Sequence, residues 1–204
     1  MKSLRRLVRA VWPAPSRGPD AEYFDETHRR SEDPWGHLSN DYERQRYAWM
    51  IEALDGRRFG RAFEVGCSIG AFTELLADHC DELLAVDISQ EAVDSARERL
   101  AERPGVSVEC RTLPADMPAG PFDLIVCADV LMYWNAEELR GALKAFESSL
   151  TPEGVLLAVS YRPKVRIQPL QGDAVHDLLT AETSLTLTRH EERGDHRLDR
   201  FARA

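Results

Sequence analysis

Long apolar runs are missing from this chain of 204 residues: no unbroken stretch of apolar side chains exceeds five, as in Leu124–Ala128 and Val155–Val159. A membrane-spanning helix needs about 18 or more, so no membrane partner is expected. Cysteine is scarce, with four residues at 67, 80, 110 and 127 and no CxxC pair. That spacing fits neither a zinc site nor a disulfide framework, so reduced thiols and no metal are expected. Cys110 and Cys127 fall in strand-like runs, where a thiol acts as a small buried hydrophobe. Acids are absent from residues 1–19, which carry Lys2, Arg5, Arg6, Arg9 and Arg17. The whole chain has 26 Lys+Arg against 35 Asp+Glu, net −9, which leaves 21 basic and 35 acidic residues, net −14, in the remainder. Such a body repels phosphate backbones, and nucleic acid is not an expected partner.

The basic arm, residues 1–19, sets Leu4, Leu7, Val8 and Val11 on one helical face, the pattern of a short surface helix or a frayed end. Its arginines interrupt the apolar run of about 7–15 that a secretory signal requires, so a cytoplasmic location is expected. Pro13, Pro15, Gly18 and Pro19 then break any helix, and the ordered domain is predicted to start near residue 20. With 43% hydrophobic residues and this length, one core and one domain are expected. Residues 20–61 read as N-terminal cap or lid helices. Tyr42, Tyr47, Met50, Ile51 and Leu54 recur at helical spacing from Asn40 to Leu54, behind Ser39 or Asn40 as cap.

From residue 62 onward the pattern alternates. Apolar runs at Ala62–Val65, Leu83–Val86, Val106–Arg111, Phe122–Ala128 and Val155–Tyr161 read as strands. Helical spacing recurs at Phe72–His79, Gln90–Glu102 and Glu137–Leu150, and Pro152-Glu153-Gly154 is a turn signal before the fifth strand. Strands alternating with helices imply parallel crossovers and a sheet covered on both faces. A last helix, Asp173–Ala181, precedes two strand-like segments, Leu185–His190 and Arg197–Ala202, expected to pair antiparallel across Arg193-Gly194-Asp195. The predicted fold is a doubly wound α/β domain over 62–204.

The chemistry concentrates where the first strand meets the first helix, at Glu64-Val65-Gly66-Cys67-Ser68-Ile69-Gly70. Glycine there lets the backbone turn sharply and come close to a ligand. The second strand ends at Asp87, placed to accept both hydroxyls of a ribose. Together these predict a pocket for an adenosine-containing cofactor. A dinucleotide fits less well. Glu64 suits a cationic amino group rather than a pyrophosphate, Ser68 stands where a pyrophosphate crowds the backbone, and one sheet uses the whole chain, leaving no second domain for a hydride acceptor. A methionine-bearing nucleoside fits these residues better.

On these motifs the chain resembles the class I S-adenosylmethionine-dependent methyltransferases, from about Asp33 to the C-terminus. Within that class it is similar to the nodulation protein S group, N-methyltransferases of chitooligosaccharide amino groups. The residues carrying this likeness are Asp33-Pro34-Trp35, Asp41-Tyr42-Glu43, Phe122-Asp123-Leu124-Ile125-Val126 and Asp129-Val130-Leu131-Met132-Tyr133. The resemblance implies a Rossmann-like seven-stranded, mostly parallel sheet with a reversed last strand. It implies S-adenosyl-L-methionine as cofactor and S-adenosyl-L-homocysteine as product. Glu64, Gly66, Cys67, Ser68 and Gly70 are expected at the methionine end, Asp87 at the ribose, and Ile88, Thr112 and Leu113 at the adenine. Thr112 departs from the acid common there, although a hydroxyl also accepts a hydrogen bond.

Ala128, expected among the cofactor-binding residues, ends the fourth strand, and Asp129 lies just past it, at the edge where open α/β sheets bind reactants. Asp129 is a candidate to orient an incoming amine or receive its proton, and Tyr133 to line the acceptor site. His176, on the late helix, is a candidate general base. Trp35 and Tyr42 are candidates to close over the cofactor. Arg162–Gln171, with Arg162, Lys164 and Arg166, is expected to border the acceptor. The reaction so implied is N-methylation of an amino sugar or another small molecule. O-methylation of a small metabolite and noncatalytic cofactor binding stand as alternatives.

Overall fold

The computed structural model describes residues 14–203, so the helical face at Leu4–Val11 lies outside the described residues. Among the described residues two helices come first, α1 (Ala21–Arg30) and α2 (Asp41–Glu52). The side chain of Asp20 caps α1 by accepting from the Tyr23 amide at 3.1 Å, and Asn40 caps α2 by accepting from Tyr42 at 2.9 Å. The alternating part follows as β1 (Phe59–Val65), α3 (Ala71–Leu76), β2 (Cys80–Asp87), α4 (Gln90–Arg99), β3 (Val106–Cys110), β4 (Phe122–Ala128), α5 (Ala136–Ser149) and β5 (Leu150–Tyr161). The chain closes with α6 (Gly172–Glu182), β6 (Thr186–Arg193) and β7 (His196–Ala202).

The strands form one seven-stranded sheet in the order β3-β2-β1-β4-β5-β7-β6. All pairings are parallel except those of β7, which runs antiparallel to both β5 and β6. The doubly wound sheet with its reversed last strand is thus the fold present. Central strands are apolar on both faces because helices cover both. In β4, Leu124 and Val126 enter one hydrophobic cluster with Leu157, Phe59 and Met50, while Ile125 and Cys127 enter the other with Phe146, Leu143 and Leu179.

Two sequence expectations are corrected. Strand β5 begins at Leu150, not after the Pro152-Glu153-Gly154 signal, because those residues form an irregular start of the strand. Glu153 sits at φ 63°, and its amide donates to the Arg203 carbonyl at 3.1 Å. Cys110 is exposed, not buried, since β3 is the edge strand beside β2. Among the described residues no helix is long and apolar enough to cross a membrane.

The order of strands fixes where a ligand binds. From β1 the chain winds outward to β2 and β3, then returns to the other side of β1 to lay down β4. The loops after β1 and β4 therefore diverge, leaving a crevice at the carboxyl ends of these strands.

Candidate active site

That crevice holds a cavity of about 490 Å³, within the size range of small-molecule sites. Its floor is the loop after β1. Gly66 and Cys67 both donate their amides to the Val86 carbonyl, at 2.8 and 3.0 Å, which ties the loop to β2. Gly66 takes φ 77°, and a Cβ there would stand 2.9 Å from Val130 side-chain atoms. No other residue type fits without displacing the loop after β4. Ser68 is also in the left-handed region, at φ 48°, which aims its amide at Asp87.

Asp87 is gripped at both oxygens, by the Ser68 amide at 2.8 Å and the Ser89 amide at 3.0 Å. Burial raises its pKa, and those two amides partly oppose the rise. Each oxygen keeps a further lone pair for a ligand hydroxyl. Glu64, at the end of β1, is 3% exposed, and its Oε2 has no hydrogen-bond partner among the described residues. Burial pushes its carboxyl up to about 7.

Helix α1 covers this end of the cavity. Asp25 accepts from Ser89 Oγ at 2.6 Å, while Phe24 packs edge-on against Tyr133 at 5.2 Å between centroids. His28 stands against Trp35 at 5.2 Å, and its Nδ1 is buried without a partner among the described residues. Burial lowers the His28 pKa, so its ring is neutral at pH 7.

The other end of the cavity is organised around Asp129, whose φ of 52° is held by the bond from its amide to the Val159 carbonyl. Oδ1 accepts from the Tyr161 amide at 2.6 Å, and Oδ2 from Arg46 Nη1 and His196 Nε2, each at 3.0 Å. Burial favours the protonated acid, but the His196 hydrogen bond, the Arg46 charge and the Tyr161 amide outweigh it, so the carboxyl lies below its ordinary range. Arg46 is buried and also donates to Glu43 through Nε at 3.1 Å. Burial again opposes ionisation of Glu43, yet His37 and Arg46 bring its pKa down to about 2. Tyr133 is pushed up to about 12 by burial and keeps its proton.

Most residues singled out in the sequence meet here: Glu64, Gly66, Cys67, Ser68, Asp87, Ile88, Leu113, Ala128, Asp129, Tyr133, Trp35 and Tyr42 all line the cavity. Gly70 stands behind the wall, its φ of 77° turning the chain into α3 beside Ala96 and Leu100. Thr112 is exposed outside the cavity, its amide bonded to Asp116 at 3.1 Å, and Arg111 and Leu113 line the wall in its place. His176 does not reach the cavity. It is fully buried, with Nδ1 2.9 Å from Asp199 Oδ2, and cannot meet a substrate as general base. The segment after β5 does border the cavity, but through Val165, Ile167 and Gln168. Its Arg162 turns to Asp173 and Glu192, at 3.0 and 2.7 Å.

Phe24, His28, His37, Arg46 and His196 also line the cavity without having stood out in the sequence, and Glu43, noted there only within Asp41-Tyr42-Glu43, joins them. For the first two a signal existed: Asp20 as cap and an aromatic pair at positions i and i+4. Glu43 and Arg46 pair at i and i+3 along α2, while His37 and His196 owe their place to tertiary contact.

A family model described as nodulation protein S (NodS) matches residues 22–194. The chain belongs to that family. Nodulation protein S of Rhizobium tropici is 37% identical over 134 residues, which are 65% of this chain and 56% of that protein. Its counterpart in Bradyrhizobium diazoefficiens is 35% identical over 151 residues, 69% of this chain and 71% of that protein. The crystal structure of N-methyltransferase NodS from Bradyrhizobium japonicum WM9, in complex with S-adenosyl-L-homocysteine, superimposes with a TM-score of 0.81 at 28% identity. That match covers 91% of this chain and 99% of that one. As a NodS-family member the chain stands among the S-adenosylmethionine-dependent methyltransferases.

The residues present fit that cofactor. An unpartnered, buried Glu64 oxygen suits an ammonium group, Asp87 retains acceptor capacity for ribose hydroxyls, and Gly66 leaves room where a Cβ would intrude.

Proposed function

We propose that this protein methylates an amino group of a small acceptor, an amino sugar or an amine of similar size, with S-adenosylmethionine as donor. The observation that carries this reading is the charge at the acceptor end. Glu43 and Asp129 both lie below the ordinary carboxylate range and face one guanidinium, Arg46, so these three groups sum to −1 at neutral pH. A site with that balance draws a cationic amine more than a neutral alcohol. The name N-methyltransferase carried by the Bradyrhizobium structure supports the same choice of atom.

Glu64 holds the amino group of the donor, Asp87 its ribose, and Ile88 and Leu113 its adenine. When bound, the donor supplies an electrophilic methyl group on a sulfonium. The protein contributes positioning: Asp129, fixed by three donors, orients the amine, while Phe24, Trp35 and Tyr133 exclude water. Orientation of this kind is worth about 7–11 kcal/mol of barrier.

The test is incubation of purified protein and isotopically labelled S-adenosylmethionine with a panel of amino sugars, simple amines and hydroxyl compounds, read by mass spectrometry. Label on nitrogen supports the proposal. Label confined to oxygen would replace it by O-methylation, and binding of S-adenosylhomocysteine without any transfer would leave a noncatalytic binder.

A further inference from the structure

At the acceptor end three residues distant in the chain form one hydrogen-bonded line. Tyr42, on the first turn of α2, lies 2.7 Å from His196 Nδ1, and His196, at the start of β7, lies 3.0 Å from Asp129 Oδ2 through Nε2. The direction of both bonds follows from chemistry. An ionised carboxylate only accepts, so Nε2 carries a proton, and in the neutral ring Nδ1 then offers a lone pair. With the ring neutral, Tyr42 is the donor to Nδ1, and its oxygen, which also accepts from the Asp195 amide, keeps a lone pair for a group in the cavity it lines.

Asp129 is badly placed to take a proton itself. Oδ2 already serves Arg46 and His196, Oδ1 serves the Tyr161 amide, and its pKa lies below the ordinary value. An amine that arrives protonated has no nucleophilic lone pair until its proton has gone elsewhere.

We propose that Tyr42 and His196 form the proton relay that frees the acceptor amine, with Tyr42 the catalytic residue and Asp129 the group that fixes the imidazole. The inference rests on the reading of the acceptor as an amine. In the step, an ammonium N–H bond breaks as an O–H bond forms on Tyr42. The former Tyr42 O–H bond breaks as an N–H bond forms on His196 Nδ1. The acceptor is left neutral with its lone pair free, and the positive charge has moved to an imidazolium whose Nε2–H still points at Asp129. Burial raises the Tyr42 pKa, so its hydroxyl passes the proton on and does not stand as a phenolate. Tyr42 is 41% exposed, which gives the imidazolium a route to return its proton to water.

The surroundings suit a transient positive charge. Glu43 and Arg46 face the pair from α2, Asp129 from the loop after β4, the Tyr161 ring from the end of β5 at 5.3 Å, and Asp195 from the turn before β7. Three carboxylates and one guanidinium leave that neighbourhood net negative.

Two measurements test this. In the ligand-free protein, nitrogen-15 NMR of the histidines is expected to show His196 as the Nε2–H tautomer, with Tyr42→Phe shifting its Nδ1 resonance; an Nδ1–H tautomer overturns the relay. The second measurement follows kcat/KM against pH with glucosamine as probe acceptor and saturating S-adenosylmethionine. Tyr42→Phe and His196→Gln are expected to lose tenfold or more at pH 6. The deficit should close as the pH rises and the probe supplies its own free base. Tyr42→Phe keeps the ring that packs on His196 at 5.6 Å, and a wild-type Tm verifies its fold. A deficit that is absent, or equal at every pH, overturns the relay and leaves the methyltransferase reading intact. A wild-type protein that methylates no amine removes that reading and the relay together.

Discussion

Replacing Glu64 by glutamine isolates a buried charge whose desolvation its one neighbouring hydroxyl, Thr73, offsets only in part. Glu64 Oε2 makes no hydrogen bond among the described residues, and burial holds the carboxyl at about 7 against an ordinary 4.5. Between those two values the folded protein binds more protons at this site than the unfolded chain does. Stability therefore falls as pH rises from 4.5, and the loss is complete above about 7. A gap of about 2.5 on the pH scale, at about 1.36 kcal/mol each, amounts to roughly 3 kcal/mol. Glu64→Gln removes the titration, so its advantage over wild type should grow by up to about 3 kcal/mol between pH 4.5 and pH 8, as urea unfolding at a series of pH values would measure.

The same substitution should weaken the site. A charge-assisted hydrogen bond is worth about 1.5–3 kcal/mol, so S-adenosylhomocysteine should bind ten- to a hundredfold less tightly to Glu64→Gln. Near pH 6 the wild-type protein should release a proton on binding, because the ligand's ammonium favours the carboxylate. Titration calorimetry in buffers of different ionisation enthalpy detects that proton, and the variant should release none. Parallel stability curves for the two proteins, together with equal affinity for S-adenosylhomocysteine, would refute the reasoning.

Gly66→Ala should abolish binding of S-adenosylhomocysteine in calorimetry and cost at least 1–2 kcal/mol of stability in urea, since φ 77° and a Cβ 2.9 Å from Val130 both oppose it. Wild-type affinity would show that the loop has other room. Asp87→Ala should weaken the same ligand by about 3 kcal/mol or more, because two charge-assisted bonds to the ribose are lost; unchanged affinity would remove Asp87 from the cofactor site. His176→Gln should lower stability by roughly 1–3 kcal/mol yet leave kcat alone, as its ring serves Asp199 in the core; a large fall in kcat would restore it to the catalytic list. Burial opposes ionisation of Asp199, but His176, Arg197 and His190 bring its pKa down to about 2. Its contribution is thus present above its ordinary 3.8 and lost as pH falls through about 2. Acid unfolding of Asp199→Asn should be shallower than wild type by about 2 kcal/mol across that window.

Local sequence determined the half of the cavity proposed for the cofactor. Glu64, Gly66, Ser68 and Asp87 belong to one strand, turn, helix and strand, where the backbone geometry is set by neighbours in the chain. The turn needs glycine at a positive φ, and a carboxylate ending the adjacent strand has only one place to go. Helix limits followed the same logic, with Asn40 capping α2 and the apolar period of Glu137–Leu150 realised as α5. The acceptor half was decided in tertiary structure. His196 is 67 residues from Asp129 and 154 from Tyr42 along the chain, and they meet because β7 inserts between β5 and β6. The period of α6 announced a helix but not which side chain would face the sheet, so His176 was read as a base although it lies in the core. Hydrophobic spacing specifies an element and its buried stripe, whereas the partners that assemble a polar cluster are chosen by sheet order and helix packing, which no local window of residues encodes.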